Sequence, residues 1–371
     1  MDSNHHLADV LQRFLPAYRQ QYSLSRRQAQ TCQHILDCRT AKLGSQQWRC
    51  DGCGYEQVQY CSCRDRHCPR CQGHQRQQWV AKQQAQILNC RYFHLVFTLP
   101  HELNVLSRYA AKGLYSALFQ AMWQTLSQFA ANRRKISGQL GVTTVLHTWG
   151  QTLSQHIHLH CLVPGGVLTA EGQWVETKGK YLYPVKALSA VFRAKVMQAL
   201  RARQLSVPES DALMLKPWCV YCKPSLTRPD SVLNYLGRYT QKGMLHESRL
   251  SSITDRDVCF KYRDYSQPGS AKTMQLTGVE FIRRYLLHVL PKGFMRVRHY
   301  GYLANRCRRK KLAVIQPQCR ADQTASRANK EGSEIECRWP CPKCKIGLLR
   351  LCALNLPRRE RFEVVVPIAS G

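Results

Sequence analysis

Acidic residues are scarce in this sequence. Asp and Glu number 23 among 371 residues, against 55 Lys and Arg, so the formal net charge is +32. This imbalance argues against an acidic small-molecule enzyme or a self-contained scaffold, and it indicates a polyanionic partner. The apolar fraction of 44% is enough to fill buried cores, which excludes a disordered tail.

Long hydrophobic runs are absent as well. No apolar stretch approaches the roughly 18 residues that a membrane span requires. The first residues, MDSNHHL, lack the basic and apolar regions of a secretion signal. We therefore expect neither secretion nor a membrane partner, and we predict a cytoplasmic protein.

Cysteine, by contrast, is abundant. The chain has 19 cysteines, many in close C-x2-C pairs, a usage typical of metal ligation in a reducing compartment. The pair Cys50 and Cys53 is separated from the pair Cys68 and Cys71 by 14 residues, which is close to zinc-ribbon spacing. We predict that these four thiolates bind one structural Zn²⁺. Four unrelated free thiols are the alternative, which the polar, Arg-rich surroundings disfavour.

Other cysteines are candidates for further zinc sites. Further candidate ligands of a second ion lie in or near the same segment, although the sequence does not pair them: Cys38, Cys61, Cys63, His67 and His74. Cys341 and Cys344 form half of another site, for which Cys337 and Cys352 are the candidate completions.

Composition divides the chain into four parts. We predict a helical, Cys-rich, zinc-binding and DNA-binding domain over 1–88, a main catalytic domain over 89–316, a polar linker over 317–336, and a small C-terminal segment over 337–371 with a candidate zinc knuckle.

Hydrophobic periodicity predicts an α+β fold with an antiparallel sheet. The predicted strands are Tyr92–Thr98, the hairpin of Val142–Trp149 with His156–Val163, and Val258–Tyr265. The predicted helices are Asn104–Arg134, the stretch beyond Pro184 to Leu205, Val232–Lys242, and Thr277–Leu290, the last opening with a capping box.

Alternating histidines mark the second strand of this hairpin. With a period of two, His156, His158 and His160 share one face, and apolar residues occupy the other. We predict that His158 and His160 bind a cation, with Gln151 of the partner strand as third ligand. Because residues 137–170 contain no Asp or Glu, neutral ligands leave the cation its charge for a phosphate. Structural histidines are the alternative.

Two tyrosines stand four residues apart in a predicted helix, so their phenols share one face. They are Tyr235 and Tyr239, and the cations Arg238 and Lys242 lie beside them. Nearby cations favour the phenolate, a good nucleophile for phosphorus. We predict that the tyrosines are catalytic and that the two cations contact DNA; a pair of core aromatics is the alternative.

A basic segment with interleaved aromatic residues covers 294–311. Phe294, Tyr300 and Tyr302 alternate there with cations, a mixture typical of single-stranded DNA binding by phosphate pairing and base stacking. The predicted DNA-binding cations are Arg296, Arg298, Arg308, Arg309, Lys310 and Lys311. A solvated basic face is the alternative.

These features resemble the two-tyrosine HUH transposases of the insertion-sequence-91 family. In this motif His, a hydrophobic residue and His follow one another, as in His158-Leu159-His160. The matching text includes CRTAKL at 38–43, SCRDRHCPRC at 62–71, VFTLPHELN at 96–104, LHTWGQ at 146–151, HIHLHCLVPGG at 156–166, YLGRYT at 235–240 and the stretch 280–309.

The resemblance implies an HUH endonuclease domain, an antiparallel sheet with flanking helices, preceded by a zinc-binding domain. It also implies rolling-circle transposition, in which single-stranded DNA at element ends is cleaved through a 5′-phosphotyrosine with Mg²⁺ or Mn²⁺ as the catalytic ion. The implied partners are single-stranded transposon ends and target DNA, in the nucleoid of a bacterium.

Two other functions stay open at this point. A replication initiator would share the HUH chemistry, and a non-enzymatic zinc DNA-binding regulator would explain the charge and the cysteines alone. No Gly-x4-Gly-Lys-Ser/Thr loop is present, which agrees with a reaction that needs no ATP. The oligomeric state does not follow from the sequence.

Overall fold

Helices and antiparallel strands form the molecule together, as the predicted α+β class requires. The computed structural model describes residues 5–71, 86–131, 137–177, 182–226, 243–264, 271–319 and 339–356. The predicted helix over 232–242, with Tyr235, Arg238, Tyr239 and Lys242, lies outside the described residues.

The described helices are α1 Leu7–Gln21, α2 Arg26–Asp37, α3 Leu106–Tyr109, α4 Ala111–Ala131, α5 Val185–Arg201, α6 Ser210–Leu215, α7 Gly278–Leu286 and α8 Arg308–Gln318. The described strands are β1 Ser45–Cys50, β2 Glu56–Tyr60, β3 Tyr92–Thr98, β4 Gly141–Trp149, β5 Gln155–Pro164, β6 Gly166–Leu168, β7 Trp174–Glu176, β8 Val220–Leu226, β9 Leu250–Ile253, β10 Asp257–Arg263, β11 Ala271–Thr277, β12 Val297–Gly301, β13 Trp339–Pro340 and β14 Leu348–Asn355. Among the described helices, none is both long and apolar enough to cross a membrane.

The central sheet has five strands in the order β12-β4-β5-β3-β8, with neighbouring strands antiparallel. On one face of β5, Ile157, Leu159 and Cys161 are fully buried in a core that also includes residues of α4 and α5. The predicted alternation is confirmed, because His158 and His160 point to the opposite face. Two helices cover one face of the sheet, so the face that carries His158 and His160 is available for a functional site.

Two predicted helices differ from the structure in their bounds. The helix expected over Asn104–Arg134 is interrupted at Ala110, whose φ of −126° and ψ of 30° leave the helical region. At α7 the Oγ1 atom of Thr277 accepts from the Glu280 N–H as predicted, whereas the Glu280 carboxylate bonds with neighbouring arginines and the helix ends at Leu286.

Strands from the N-terminal and C-terminal parts of the chain share one sheet. Its strand order is β13-β14-β1-β2, and β14 pairs along the whole of β1, from Ser45 opposite Asn355 to Cys50 opposite Leu349. The C-terminal segment, which was predicted to be separate, is thus part of the N-terminal sheet. Helix α8 continues to Gln318, so it extends into the predicted linker.

A second core joins the N-terminal helices to the chain between β9 and α7. It contains residues of α1, α2, β9, β10 and α7, together with Cys38, Cys68 and Cys71. Helices α1 and α7 approach closely because Gly278 has no side chain, and a Cβ atom there would lie 2.1 Å from the Phe14 ring. The cysteine-rich region is therefore packed directly against the segment that leads to β12.

Candidate active site

Three histidines from two adjacent strands meet on the polar face of the central sheet. The antiparallel register of β4 and β5 places His147 opposite His158, and His160 lies two residues further along β5. One ring nitrogen of each lies within 4.8 Å of the others. The Nε2 atoms of His158 and His160 are 3.1 Å apart.

Hydrogen bonds at the other ring nitrogen orient two of these imidazoles. The Nδ1 atom of His158 lies 2.8 Å from the main-chain oxygen of His156, so Nδ1 donates and Nε2 keeps its lone pair. The Nδ1 atom of His160 lies 3.0 Å from Nε2 of His94 on β3. Donation from His160 to His94 leaves the Nε2 atom of His160 bare as well.

The resulting arrangement suits a cation. Two bare Nε2 atoms at 3.1 Å repel each other unless a positive charge lies between them. Two nitrogen ligands at about 2.1 Å from one ion are about 3 Å apart when their bonds are perpendicular. His147 adds a third nitrogen, so the donor set is three imidazoles.

Burial keeps the rings of His158 and His160 in their ligand form. It lowers the pKa of His158 to about 4 and the pKa of His160 well below its ordinary value, since a buried imidazolium loses its hydration. The pKa of His94 is also lowered by burial, to about 4. His158 and His160 are therefore neutral near pH 7, as metal ligation requires. Their neighbour His94 is neutral as well.

The structure differs from the sequence prediction at the third ligand. Strand β4 ends at Trp149, and a register shift lies between His147 and Trp149. Gln151 consequently lies in the turn before β5, where its main-chain oxygen accepts a hydrogen bond from Arg249. The placement of Gln151 on the partner strand was wrong, and His147 completes the trio instead.

The cysteines form two separate sets. Cys38, Cys63, Cys68 and Cys71, the N-terminal cysteine set, have their Sγ atoms within 4.8 Å of one another. The Sγ atom of Cys71 is 3.5 Å from those of Cys38 and Cys63. Thiolates about 2.3 Å from a tetrahedral Zn²⁺ are about 3.8 Å apart, so this set fits a structural zinc.

The pairing predicted for the other two cysteines was wrong. Cys50 and Cys53 do not join Cys68 and Cys71; they lie with Cys341 and Cys344, and we name these four the chain-end cysteine set. Consecutive C-x2-C pairs thus contribute to different sites. Cys50 and Cys53, at the end of β1 and in the turn after it, join Cys341 and Cys344 instead of the candidate Cys352, and the other candidate, Cys337, lies outside the described residues.

The loop of the N-terminal cysteine set is tied to the segment that follows α7. Asp65 accepts hydrogen bonds from the main chain and ring of His67, both at 2.9 Å. Although burial opposes it, these bonds and that of His34 hold the pKa of Asp65 below its usual range. The other ring nitrogen of His67 accepts from Leu290 N–H at 3.2 Å, and the Tyr285 hydroxyl donates to the His67 carbonyl. A zinc bound there would stabilise the segment leading to β12, the neighbour of β4.

The basic segment is only partly available to DNA. Phe294 and Tyr302 are buried, so the prediction that they stack on bases was wrong. The guanidinium of Arg298 lies 4.1 Å from the Phe119 ring centre, and that of Arg296 lies 5.6 Å from the Trp149 ring, which stacks on His147. Arg309 and Lys310 are exposed in the first turn of α8, with Arg308 and Lys311 half-buried beside them.

Comparison with known proteins decides the family. A family described as "Transposase zinc-binding domain" matches residues 10–99, and one described as "Putative transposase" matches residues 141–311. The "Putative transposase y4qJ" of Sinorhizobium fredii is 41% identical over 334 residues, 85% of this chain and 83% of that protein. The chain belongs to the insertion-sequence-91 family of transposases.

A second transposase agrees with this assignment, whereas the similarity to solved structures is too weak to add to it. The "Transposase for insertion sequence element IS801" of Pseudomonas savastanoi is 29% identical over 304 residues, 75% of this chain and 71% of that protein. Among solved structures, the metal-bound conjugative relaxase TrwC with OriT DNA covers 59% of this chain and 96% of that one, at 15% identity and a TM-score of 0.25, too low to establish a shared fold.

The family membership explains the N-terminal cysteines and the positive net charge. This transposase has an N-terminal zinc-binding domain, and the N-terminal cysteine set lies wholly within the matched range 10–99. The net charge of +32 suits the DNA on which a transposase acts.

Proposed function

We propose that this transposase nicks and rejoins single-stranded DNA at the ends of its element through a 5′-phosphotyrosine, as a step of rolling-circle transposition. The observation that carries the proposal is the trio of His147, His158 and His160, whose ring nitrogens lie within 4.8 Å of one another on the sheet face opposite the core. We place this nuclease activity in residues 89–316 and its action at bacterial nucleoid DNA in the cytoplasm.

The three imidazoles would hold a divalent cation, which supplies Lewis-acid polarisation of the scissile phosphate. Imidazole suits transition metals, whereas Mg²⁺ prefers oxygen ligands, so of the two expected ions Mn²⁺ fits this donor set better. The residues contribute no negative charge, and the full charge of the ion stays available to the phosphate. A role for Gln151 next to the trio stays a prediction.

The proposed nucleophiles are Tyr235 and Tyr239, within the range 141–311 that matches the transposase family. A phenolate oxygen forms a bond to phosphorus, and the bond from phosphorus to the 3′ oxygen breaks. The departing oxygen takes up a proton as a 3′-hydroxyl. One phosphodiester bond replaces another, so the reverse attack by a 3′-hydroxyl rejoins a strand without ATP. The second tyrosine allows one end to stay attached while the other strand is cut.

Cations near the trio would hold the DNA backbone. Arg296 lies over Trp149, whose ring stacks on His147 with centres 4.6 Å apart, so its side chain is near the metal site. Arg309 and Lys310 extend the positive surface at the start of α8. We propose that these cations, with Arg238 and Lys242, contact phosphates, whereas Arg298 mainly packs on Phe119.

The test uses a labelled single strand that spans an element end. With Mn²⁺, the full-length protein should produce a covalent adduct that survives a denaturing gel. His158→Ala and His160→Ala should bind the strand with nearly unchanged affinity, because affinity comes mainly from Lys and Arg contacts, yet form no adduct. Adduct formation by both variants at the wild-type rate would contradict the proposal.

A further inference from the structure

We propose that the chain-end cysteine set, Cys50, Cys53, Cys341 and Cys344, binds a second structural Zn²⁺ that closes the two ends of the chain on each other. Half of its ligands lie beyond residues 10–99, the range that matches the zinc-binding domain, so this site is separate from the ion of the N-terminal cysteine set. The proposal does not depend on the cleavage chemistry.

The four sulfur atoms have the geometry of a tetrahedral site. The Sγ atoms of Cys50 and Cys344 are 3.7 Å apart, as are those of Cys53 and Cys341. This matches the roughly 3.8 Å between thiolates bound to one Zn²⁺ with bonds of about 2.3 Å. The distance is far beyond the roughly 2.05 Å of a disulfide.

The two C-x2-C turns also have matching main-chain structures. The Gly54 N–H donates to the Cys50 carbonyl at 3.1 Å, and the Lys345 N–H donates to the Cys341 carbonyl at 2.9 Å. Gly54 and Lys345 are both left-handed, with φ of 68° and 61°. Lysine adopts this region at an energetic cost, so a stabilising interaction must hold the second turn.

Main-chain N–H groups point at the sulfurs, as they do around bound thiolates. Gly52 and Cys53 donate to Cys50 Sγ at 3.4 Å, and Gly347 donates to Cys344 Sγ at 3.3 Å. Such bonds favour the charged form of sulfur, which is the zinc ligand. Gly347 must be glycine for this contact, because a Cβ atom there would lie 2.5 Å from Cys50 Sγ.

Apolar packing is too small to join the ends without an ion. Among the described residues, the buried apolar cluster of this unit consists of Cys50, Cys341 and Leu349, with only partly buried Trp48, Tyr55 and Cys344 against it. Leu351 and Leu354 of β14 are about half exposed. Cys50 and Cys344 are 294 residues apart in sequence, so bringing the two turns together costs loop-closure entropy. Zinc binding would supply folding free energy that offsets this entropy, because the four-sulfur site exists only when both turns meet.

The test counts zinc in the purified full-length protein. We expect the double variant Cys341→Ser with Cys344→Ser to hold one zinc ion fewer than the unaltered chain, and Cys352→Ser to hold the same number as the unaltered chain. The comparison between variants is independent of any zinc in the histidine trio. Cys352 is an exposed cysteine on the same strand β14 and outside the set, which makes it the matched control. Equal zinc contents in the unaltered chain and the double variant would overturn the proposal.

A second measurement needs no variant, since a cysteine replacement can prevent folding. Brief alkylation of the unaltered protein followed by mass spectrometry should label Cys352 and spare the four cysteines of the set. After a zinc chelator is added, Cys50, Cys53, Cys341 and Cys344 should become reactive together. Labelling of Cys341 and Cys344 at the rate of Cys352 before chelation would contradict a bound ion.

Discussion

His94 positions a metal ligand without belonging to the trio itself. Its Nε2 atom lies 3.0 Å from the Nδ1 atom of His160. In the tautomer that ligates a metal, the Nδ1–H of His160 donates to His94, and this bond keeps the Nε2 atom of His160 free for the cation. In His94→Leu a side chain of similar size fills the space on β3 but accepts no hydrogen bond. The proton of His160 can then move to Nε2, where it blocks ligation.

The expected loss of Mn²⁺ affinity follows from the role of His94 as the hydrogen-bond partner of a metal ligand. Removing such a hydrogen bond typically costs about 10–100-fold in metal affinity, or ~1.4–2.7 kcal/mol. We therefore expect His94→Leu to raise the Mn²⁺ concentration for half-maximal adduct formation by about 10–100-fold. Saturating Mn²⁺ should restore most of the rate, because the nucleophile and the three ligands are unchanged. The assay is adduct formation on a labelled single strand over a series of Mn²⁺ concentrations.

Two matched variants separate positioning from packing. His94→Gln offers an amide oxygen as acceptor and should recover part of the Mn²⁺ affinity. His156→Ala removes an exposed ring on the same sheet face but keeps the main-chain oxygen that orients His158, so its Mn²⁺ dependence should match the wild type. If His94→Leu lowered the rate equally at all Mn²⁺ concentrations, with an unchanged midpoint, the reasoning would be refuted.

Further predictions concern the third ligand, the DNA surface and acid stability. His147→Ala should abolish adduct formation at Mn²⁺ concentrations that saturate the wild type, whereas Gln151→Ala should retain it; the reverse ranking would return Gln151 to the ligand position. Replacing exposed Arg309 and Lys310 by Gln should reduce the slope of log affinity against log salt by about 1.4, two single-strand phosphate contacts, while the exposed Arg201→Gln should not change it. His288 is fully buried and bonded to Thr148 and Leu153, and burial lowers its pKa to about 4. The unfolded chain therefore takes up a proton near pH 6.5 that the folded chain refuses, and stability should fall by about 3 kcal/mol from this group between pH 6.5 and pH 4. In His288→Gln, the chain should take up one proton fewer on unfolding, as measured from the pH dependence of the free energy of unfolding in denaturant. An unchanged pH dependence would contradict the assignment.

Local patterns predicted the parts of the fold that local residues determine. Strand β3 has the predicted bounds Tyr92–Thr98, and the helix predicted beyond Pro184 is present over Val185–Arg201, ending four residues before the predicted Leu205. The alternation along β5 placed His158 and His160 on the face opposite the core, because a strand has a fixed period of two. These features depend on neighbours within a few residues.

The errors concern contacts between distant residues. The identity of the third histidine depends on the register of β4 with β5, and the irregularity between His147 and Trp149 alters that register. His147 could have been noticed as the histidine of LHTWGQ, on the predicted hairpin partner of the histidine strand. The pairing of cysteines depends on β14 lying beside β1, a contact between the ends of the chain to which no local spacing points.

The identity of the residue that carries the covalent bond to DNA tests the central claim most directly. After reaction of the full-length protein with an element-end single strand and Mn²⁺, nuclease trimming and peptide mass spectrometry should locate the remaining nucleotide on Tyr235 or Tyr239. Tyr→Phe replacement at both positions keeps the ring volume and should eliminate the adduct, while at least one single replacement retains it. An adduct on any other residue, or a normal adduct in the double variant, would contradict the account.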